Sequence, residues 1–379
     1  TMLNTTITKN IFIDADRNVL NDLDDDGTPV EPEYYAPIIP MILVNGSKGI
    51  GTGFSTDIMC YNVNDVIKSV KNKLNKSKKK VDIQPYYEGF KGEINKVEDD
   101  KYLIKGCYKI IGTDKLEITE LPIGTWTEDY KIFLESLISD AKKKSKKQII
   151  KSYTDMCTDA TVHFTVNLVS GTTNRLLPKK EKFNCNGLEK ALKLYTTKKT
   201  SNMHLFDENQ QLKKYNEVGD IIDAYYPVRL DLYLKRKNYL IKALQRIVKI
   251  LSNKARFIKE QCDDNLDLRK KKKTVVIDLL KTMGFDVIDE DDGFKYLRSM
   301  TIDSVEEENY QKLMNECQEK KDELEKLKEK TIESMWLDEL NVLEKQYKKY
   351  QKERTDRLTG VSAKKVKKMK LKKMKIKKQ

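Results

Sequence analysis

A glycine-rich segment carries the most specific chemistry in this sequence. It reads Asn45-Gly46-Ser47-Lys48-Gly49-Ile50-Gly51-Thr52-Gly53 and matches neither the GxxxxGK[ST] phosphate loop nor the GxGxxG fingerprint. Gly49 and Gly51 allow the backbone to approach another surface closely, and they leave Ile50 projecting as an apolar tip beside Lys48. Apolar side chains of this kind unstack base pairs and kink DNA, while a neighbouring lysine pairs with a phosphate. A plain tight turn is the alternative interpretation.

A second segment combines two cations with small side chains that form hydrogen bonds, in the order Lys198-Lys199-Thr200-Ser201-Asn202-Met203. Such sets contact the phosphate backbone of nucleic acids without reading the base sequence. If Lys198 and Lys199 both neutralise phosphates, removing them lowers the slope of log K against log salt by about 1.8, at ~0.9 per contact. An ordinary surface loop remains the alternative.

Other catalytic and metal-binding chemistry finds little support. The six cysteines lie 28 to 77 residues apart with no CxxC pair, and the chain has only two histidines. This spacing argues against a zinc site, a disulfide framework and a histidine-dependent catalytic triad, and it favours reduced thiols in an intracellular protein. Asp22 and Asp24–Asp26 lack the alternation of an EF-hand, so we expect a solvated acidic loop there.

The charge of the chain is concentrated at one end. The 379 residues carry a net charge of +14, and residues 361–379 contain ten lysines and no acid, so the other 360 residues carry only +4. The basic amphipathic tail fits DNA, an anionic membrane surface or an acidic partner, whereas Lys142–Lys147 and Lys270–Lys273 are typical of solvated faces. No run of eighteen apolar residues and no apolar cleavable start occur, so we expect neither a membrane span nor a secretory signal.

Two kinds of elements must position these segments. Short β-rich runs at residues 110–111, 116–118 and 161–166 alternate with amphipathic helices, which predicts an α+β domain. From Pro227 to Cys262 the apolar residues recur every three or four positions, which predicts a helix of about 50 Å with the proline in its first turn.

A second helical seam suggests how this long helix is partnered. Apolar residues recur from Tyr310 to Trp336, and the residues between the two seams contain a compact helical pattern. Two long helices separated by a small insert can pair antiparallel and hold the insert at the far end of an arm. Lys237 and Lys320 are the polar interruptions of the two seams. Two unrelated surface helices packed on a core are the alternative.

These segments together carry a family resemblance. Residues 31–53 closely resemble the EPE(W/Y)Y…PIIP…NGxxGIGTG signature of the type IIA DNA topoisomerases, eukaryotic and viral branch. Residues 120–127 resemble the family's ELPxxTWT segment, residues 200–207 its tower-domain loop, and residues 225–237 the entry to its coiled coil. The resemblance extends in collinear order over nearly all of residues 1–350.

The resemblance implies an α+β fold class with six parts. We expect the end of a winged-helix domain with a DNA-facing glycine-rich loop, an α+β tower domain, and a long antiparallel coiled-coil arm with a small helical dimerisation tip. The parts are residues 1–62 (winged-helix end), 63–226 (tower), 227–262 (outgoing helix), 263–304 (exit-gate tip), 305–353 (return helix) and 354–379 (a basic, disordered tail).

The resemblance also implies an enzyme that cuts both strands of one duplex, passes another through and reseals. Thr1-Met2-Leu3 looks like the end of the motif RY(I/V)FTxL, which places the nucleophilic tyrosine three positions before Thr1. No catalytic residue and no metal ligand is therefore assigned within this chain, and Mg²⁺ and ATP are expected to bind outside it. The alternatives are a non-enzymatic architectural protein that bends DNA and a naturally split topoisomerase subunit.

Site residues and partners follow from the same resemblance. Ile50 matches the family's intercalating isoleucine, and the expected partners are double-stranded DNA and a second copy of the chain, with no membrane. Tyr296 and Leu297 are expected near the dimer contact of the exit gate. We expect action in the nucleus or, for a viral protein, in the host cytoplasm. The remaining DNA-binding candidates are Lys48, Gly49, Gly51, Lys198, Lys199, Thr200 and Ser201.

Overall fold

The computed structural model describes residues 5–77, 79–143, 148–268, 270–289, 291, 293–300 and 307–358, so the lysine-rich tail from residue 359 and most of the run at 142–147 lie outside the described residues. The helices are α1 (Thr5–Ile11), α2 (Met41–Asn45), α3 (Val63–Leu74), α4 (Thr127–Lys143), α5 (Thr172–Leu176), α6 (Gly187–Ala191), α7 (Val218–Cys262), α8 (Lys273–Thr282), α9 (Lys295–Arg298), α10 (Glu307–Glu329) and α11 (Ile332–Leu358). The strands are β1 (Asp22–Asp25), β2 (Thr28–Pro32), β3 (Ser47–Gly51), β4 (Phe54–Ile58), β5 (Glu93–Glu98), β6 (Lys101–Lys105), β7 (Cys107–Gly112), β8 (Lys115–Glu120), β9 (Ile150–Asp155), β10 (Phe164–Leu168), β11 (Tyr195–Lys199), β12 (Met203–Phe206) and β13 (Leu212–Tyr215).

The chain forms two compact units, one of residues 39–225 and one that joins the residues up to Ile38 with those from Tyr226 onward. The glycine-rich segment, predicted to belong to a domain of residues 1–62, lies in the first of these units. The reason is a backbone connection, because the amide of Asp57 in β4 donates to the carbonyl of Asn202 at 2.8 Å. The acidic residues predicted as a loop form the hairpin β1–β2 in the other unit.

The unit of residues 39–225 contains two larger antiparallel sheets and the two-stranded pairs β3-β4 and β12-β13. One of the larger sheets has the strand order β7-β8-β10-β9 and the other β11-β6-β5. The β-rich runs predicted at residues 110–111 and 116–118 lie in β7 and β8, and the run at 161–166 overlaps β10. Helix α4 covers the first sheet with Tyr130 and Leu134, which are buried in the same core as Ile118 and Phe164.

Helix α7 begins nine residues before the predicted start and contains Pro227 in its interior. The prediction that the proline occupies the first turn is therefore wrong. An interior proline removes one backbone hydrogen bond and crowds the carbonyl four residues earlier. Tyr226 and Tyr233, which lie on either side of the proline in α7, both stack on Trp336. At 1.5 Å per residue the 45-residue helix is about 67 Å long.

A buried group of charges ties the N-terminal segment to α7 and α11. We call it the Asp16 cluster (Asp16, Arg229, Arg236 and Glu339). Asp16 accepts hydrogen bonds from Arg229 at 2.7 Å and from Arg236 at 2.9 Å, and Arg236 also donates to Glu339 at 2.5 Å. The side chains of Asp16, Arg229 and Arg236 are at most 6% exposed. Buried charges require such pairing, because each one alone is costly to remove from water.

Trp336 of α11 packs beside this cluster between two tyrosines of α7. Its ring stacks on Tyr226 and on Tyr233 with centroid distances of 5.4 Å in both cases. Its indole nitrogen donates to the carbonyl of Ile38 at 2.9 Å, so the polar end of the buried ring is satisfied. Ile38 is thereby fixed to Trp336 of α11.

Helices α7 and α10 run antiparallel. The ammonium of Lys237 lies 2.8 Å from the carbonyl of Lys328, and the thiol of Cys317 lies 3.9 Å from the carbonyl of Val248. Residues that are later in α7 therefore meet residues that are earlier in α10. The buried seam between them consists of Leu244, Leu251, Ala255, Ile258, Cys317 and Leu324.

The return helix, predicted as one element over residues 305–353, is broken between Glu329 and Ile332. Two contacts stabilise the break. Lys237 donates to the carbonyls of Lys328 and Lys330 at 2.8 and 2.6 Å, and the Thr331 hydroxyl accepts from the amide of Ser334 at 3.1 Å, as an N-cap does. The lysine that interrupts the apolar seam of α7 thus closes the end of α10.

A small separate core lies at the other end of these helices. It consists of Phe257, Leu266, Val276, Leu280, Phe285, Phe294 and Leu297, contributed by α7, α8, α9 and the segments between them. This core fits the predicted small helical tip. None of the helices in the described part of the chain combines the length and the apolar character that crossing a membrane requires.

Candidate nucleic-acid interface

The glycine-rich segment folds as a hairpin, where the sequence predicted a loop. In this Ile50 hairpin (residues 47–58), β3 pairs antiparallel with β4, and Thr52-Gly53 form the two-residue turn. Gly53 has a φ of +85°, a conformation that residues with a side chain rarely adopt. The register pairs Ile50 with Ser55, which places the isoleucine two residues from the turn.

Ile50 is the most exposed large apolar side chain among the described residues, at 94%. Lys48 lies two positions earlier on the same face of the hairpin and is also exposed. Burying an isoleucine that is otherwise in water contributes about 1.5–3 kcal/mol. The fold therefore keeps this side chain available for another surface, next to a cation.

The two glycines that flank Ile50 differ in what requires them. A Cβ on Gly51 would lie 2.7 Å from the ring of Phe54, its cross-strand partner, so the packing of the hairpin itself requires glycine there. A Cβ on Gly49 would meet no atom within 4 Å. Nothing within the described part of the chain requires glycine at position 49 for packing, so a role for Gly49 in DNA binding stays a prediction.

Gly46 fixes the base of the hairpin. It ends α2 with a φ of +66°, its amide donates to the carbonyl of Ile42 at 2.9 Å, and a Cβ there would lie 2.8 Å from the carbonyl of Ile58. The thiol of the adjacent Cys60 donates to the carbonyl of Asn45 at 3.2 Å. Burial raises the pKa of Cys60, which the charge of Lys198 partly opposes, so this thiol packs and is not poised as a nucleophile.

The predicted cations Lys198 and Lys199 lie in strand β11 and point to opposite faces of it. The ammonium of Lys198 is 3.4 Å from the carboxylate of Asp57 in the Ile50 hairpin and is 22% exposed. Lys199 is exposed. The structure therefore brings Lys198 to the hairpin as the partner of an acid, and it leaves Lys199 as the cation open to solvent.

Thr200 and Ser201 form the turn after β11. The amide of Thr200 donates to the carbonyl of Asp100 at 2.8 Å, and its hydroxyl lies 3.4 Å from the same oxygen. Ser201 is exposed. Thr200 thus has a structural role within the turn, while Ser201 presents its hydroxyl to solvent.

A chain of polar side chains runs along the Ile50 hairpin, and none of them is among the DNA-binding candidates named from the sequence. The amide nitrogen of Asn202 donates to Ser55 Oγ at 2.9 Å, and its oxygen lies 2.9 Å from His204 Nδ1. Ser55 stands directly across the hairpin from Ile50. The alternation of Ser55 and Asp57 after the Thr52-Gly53 turn was the available signal, since it marks a second strand that pairs with β3.

Tyr296 and Leu297, predicted at a dimer contact, belong to the other unit. The Leu297 side chain is 0% exposed within the tip core of its own chain, so it packs inward, and its place near a dimer contact stays a prediction. The local sequence Phe294-Lys295-Tyr296-Leu297 does not show that α9 directs the Leu297 side chain inward. Tyr296 is half-buried and its hydroxyl donates to the carbonyl of Asp286 at 2.7 Å. Its place at an interface stays a prediction.

No metal centre is found in the part of the chain that the structure describes, because nowhere there do three histidine, cysteine, aspartate or glutamate side chains come together as ligands. All six cysteines are free thiols.

Comparisons with known proteins agree on one family. The family model for DNA gyrase/topoisomerase IV, which describes the A subunits of those enzymes, matches residues 1–341. DNA topoisomerase 2 of Plasmodium falciparum is 36% identical over 89% of this chain and 26% of its own length. DNA topoisomerase 2 of Acanthamoeba polyphaga mimivirus is 32% identical over 88% of this chain and 31% of its own length.

One solved structure is also similar along most of the chain. It is the DNA-binding, cleavage and re-ligation domain of Plasmodium falciparum topoisomerase II, with a TM-score of 0.81 and 36% identity. The match covers 93% of this chain and 50% of that one. The chain therefore spans about a quarter to a third of the curated relatives named here, and half of the solved chain.

Proposed function

Since this chain belongs to the type IIA DNA topoisomerase family, we propose that it is part of an enzyme that breaks both strands of one duplex, passes a second duplex through and reseals the first. Within that enzyme this chain bends and cradles the duplex that is cut. The complete enzyme thereby relaxes supercoils and separates linked DNA molecules. The observation that carries the proposal is Ile50, an isoleucine 94% exposed near the tip of a hairpin and flanked by glycines.

Ile50 acts as a wedge between two base pairs. Unstacking one base step costs a few kcal/mol, and burial of the isoleucine returns about 1.5–3 kcal/mol of it. The two terms nearly cancel, so the wedge fixes where the duplex bends but does not by itself supply the affinity. Phosphate contacts must provide the rest.

Lys48 and Lys199 are the residues best placed to supply phosphate contacts, because both are exposed. Lys198 contributes less, since its charge is already paired with Asp57 at 3.4 Å. Ser201 adds a neutral hydrogen bond to a phosphate, and the bare backbone at Gly49 lets the duplex approach closely. The set reads the shape of the backbone and not the base sequence.

The antiparallel helices α7 and α10 form a coiled-coil arm, and the core at their end forms the exit gate. Two copies of the chain associate through these tips across a two-fold axis, which closes a cavity that the transported duplex leaves. Val275 and Val287 are exposed apolar side chains of the tip, at 49% and 42%, and with Tyr296 they are the candidates for the contact.

The complete enzyme uses Mg²⁺ and ATP. The described residues contain no group of three side chains that fits a metal ion. We assign both Mg²⁺ and ATP to other parts of the enzyme because the family resemblance implies it. The enzyme acts in the nucleus or, for a virus-encoded protein, in the host cytoplasm.

The test replaces Ile50 by alanine in the complete topoisomerase. We expect weaker DNA bending, measured by energy transfer between dyes at the ends of a short duplex, together with less double-strand cleavage and unchanged thermal unfolding. Ile132→Ala is the matched control, because Ile132 is also exposed, at 65%, and lies away from the hairpin on α4. Unchanged bending and cleavage by Ile50→Ala would refute the wedge. If the complete protein bends DNA but does not relax supercoils when ATP and Mg²⁺ are supplied, it is instead an architectural protein.

A further inference from the structure

Phe206 is a large aromatic side chain that the fold leaves mostly in water. It ends β12 and is 61% exposed. Its ring meets Phe54 of the Ile50 hairpin edge to face, with a centroid distance of 5.8 Å and an interplanar angle of 88°. Phe206 thus reaches the hairpin from a strand about 150 residues later in the chain.

Phe54 in turn lies across the backbone next to Ile50. The register pairs Phe54 with Gly51, and the ring comes so close that a Cβ on Gly51 would sit 2.7 Å from it. Because successive strand residues point to opposite faces, Phe54 lies on one face of the hairpin and Ile50 on the other. A contact behind Phe54 therefore supports the hairpin from the side opposite to the isoleucine.

The other connections between the Ile50 hairpin and β12 lie further from the turn. Asp57 donates its amide to the carbonyl of Asn202 at 2.8 Å, and the amide of His204 donates to Thr56 Oγ1 at 3.3 Å. Residues that are earlier in β4 meet residues that are later in β12. Among these contacts, the pair of Phe54 and Phe206 is nearest to the turn that carries Ile50.

We propose that Phe206 is a positioning residue for the wedge: it braces Phe54 from behind and so holds Ile50 at the angle at which it enters the base stack. This inference rests on the proposed function. Without this contact the hairpin can bend away when Ile50 presses against the stacked bases. Less of the Ile50 side chain is then buried, so less free energy is gained to offset the cost of unstacking. An edge-to-face aromatic pair shifts such an equilibrium by about two- to ten-fold.

The experiment measures base unstacking directly, with 2-aminopurine at the bent step of a short duplex, whose fluorescence rises when the base leaves the stack. Phe206→Ala in the complete topoisomerase should reduce the unstacked population about two- to ten-fold, while Phe206→Tyr, which keeps the ring, should restore it. Ile132→Ala serves again as the exposed control. The slope of log K against log salt should not change with Phe206→Ala, because no phosphate contact is removed.

A double-mutant cycle with Ile50→Ala separates bracing from direct contact of Phe206 with DNA. If Phe206 acts through Ile50, the double variant unstacks the base no less than Ile50→Ala alone. A further loss in the double variant would overturn the proposal and assign Phe206 its own DNA contact. An unchanged signal with Phe206→Ala, where Ile50→Ala lowers it, would overturn the brace and leave the wedge intact. An unchanged signal with Ile50→Ala would remove the proposed function itself.

A measurement without DNA keeps the inference testable if binding is altered for other reasons. Amide hydrogen exchange at Gly49 and Gly51, whose partners in the hydrogen-bonded pairs of the hairpin are Thr56 and Phe54, should become faster with Phe206→Ala and return to normal with Phe206→Tyr. Exchange in β7, β8 and β10 should stay the same, because these strands belong to a separate sheet. Equal exchange at Gly49 and Gly51 in all variants would show that Phe206 does not hold the hairpin.

Discussion

Replacing Asp16 by asparagine tests what the charges of the Asp16 cluster contribute to folding. The substitution keeps the shape of the side chain and removes the negative charge that Arg229 and Arg236 share, at 2.7 and 2.9 Å. The two arginine side chains are 0% and 2% exposed. Neither guanidinium can therefore turn to water when its partner is lost.

The expected loss is at the lower end of the range for a broken buried ion pair. Removing one partner of such a pair typically costs about 3–5 kcal/mol. Arg236 keeps Glu339 at 2.5 Å and Arg229 keeps the carbonyl of Ala36 at 2.6 Å, so we expect about 3 kcal/mol. At a urea m-value of about 2 kcal/mol/M, the midpoint of unfolding falls by about 1.5 M.

The two tryptophans make this measurement specific to one unit. Trp336 is fully buried beside the Asp16 cluster, whereas Trp126 is 74% exposed in the unit of residues 39–225. In a Trp126→Phe background, tryptophan fluorescence therefore follows only the unit that contains Asp16. This matters because a chain of two units need not unfold in one step.

Asp231→Asn is the matched control, because Asp231 lies on α7 between the two arginines that Asp16 binds. Asp231 pairs with Lys235 at 2.9 Å, but both side chains are more than half exposed, so its loss costs at most about 0.5 kcal/mol and shrinks with added salt. The loss from Asp16→Asn should persist in salt. A loss below about 1 kcal/mol with Asp16→Asn, or a loss equal to that of the control, would refute the reasoning from burial.

Three further substitutions address charge in the unit of residues 39–225. Lys199→Ala should lower the slope of log K against log salt for DNA binding by about 0.9, whereas Lys198→Ala should lower it by less, because Asp57 already pairs with Lys198 at 3.4 Å. Asp155→Asn should flatten the acid dependence of the urea midpoint, measured by circular dichroism. A hydrogen bond from Lys131 lowers the pKa of Asp155 to about 2, below the unfolded value of about 3.9. This contribution is complete above about pH 4 and is lost as the pH falls toward 2.

Each of these outcomes has a clear contrary result. Equal changes of slope from Lys198→Ala and Lys199→Ala would show that the pairing with Asp57 opens when DNA binds. A midpoint that falls between pH 4 and pH 2 as steeply in Asp155→Asn as in the unaltered chain would show that other carboxylates cause the acid dependence.

Local patterns in the sequence predicted the elements that depend on neighbouring residues. The β-rich runs in β7, β8 and β10 and the apolar seam of α7 were predicted because each is written within one stretch of chain. The exposure of Ile50 was also predictable, since glycines on both sides leave nothing local to cover it.

Contacts between distant residues were not predictable in this way. Pro227 lies inside α7, beside a contact that no local pattern shows: Trp336, more than a hundred residues later, stacks on Tyr226 and Tyr233. Leu297 has the same local pattern whether it faces a partner or its own core, and only the fold of the tip decides. The sequence around Lys198 is typical of a phosphate contact, but the ammonium of Lys198 is paired with the carboxylate of Asp57, 141 residues away.

The way in which α10 ends shows that residues of a second helix help to determine where α10 stops. Helices commonly end at a glycine, whereas here the last carbonyls are held by an ammonium that belongs to α7, through Lys237. The stop signal for one helix is therefore carried by its neighbour. A peptide of residues 307–358 alone keeps the Thr331 cap of α11 but lacks Lys237, and in it we expect the last turn of α10 to be less ordered than in the whole chain.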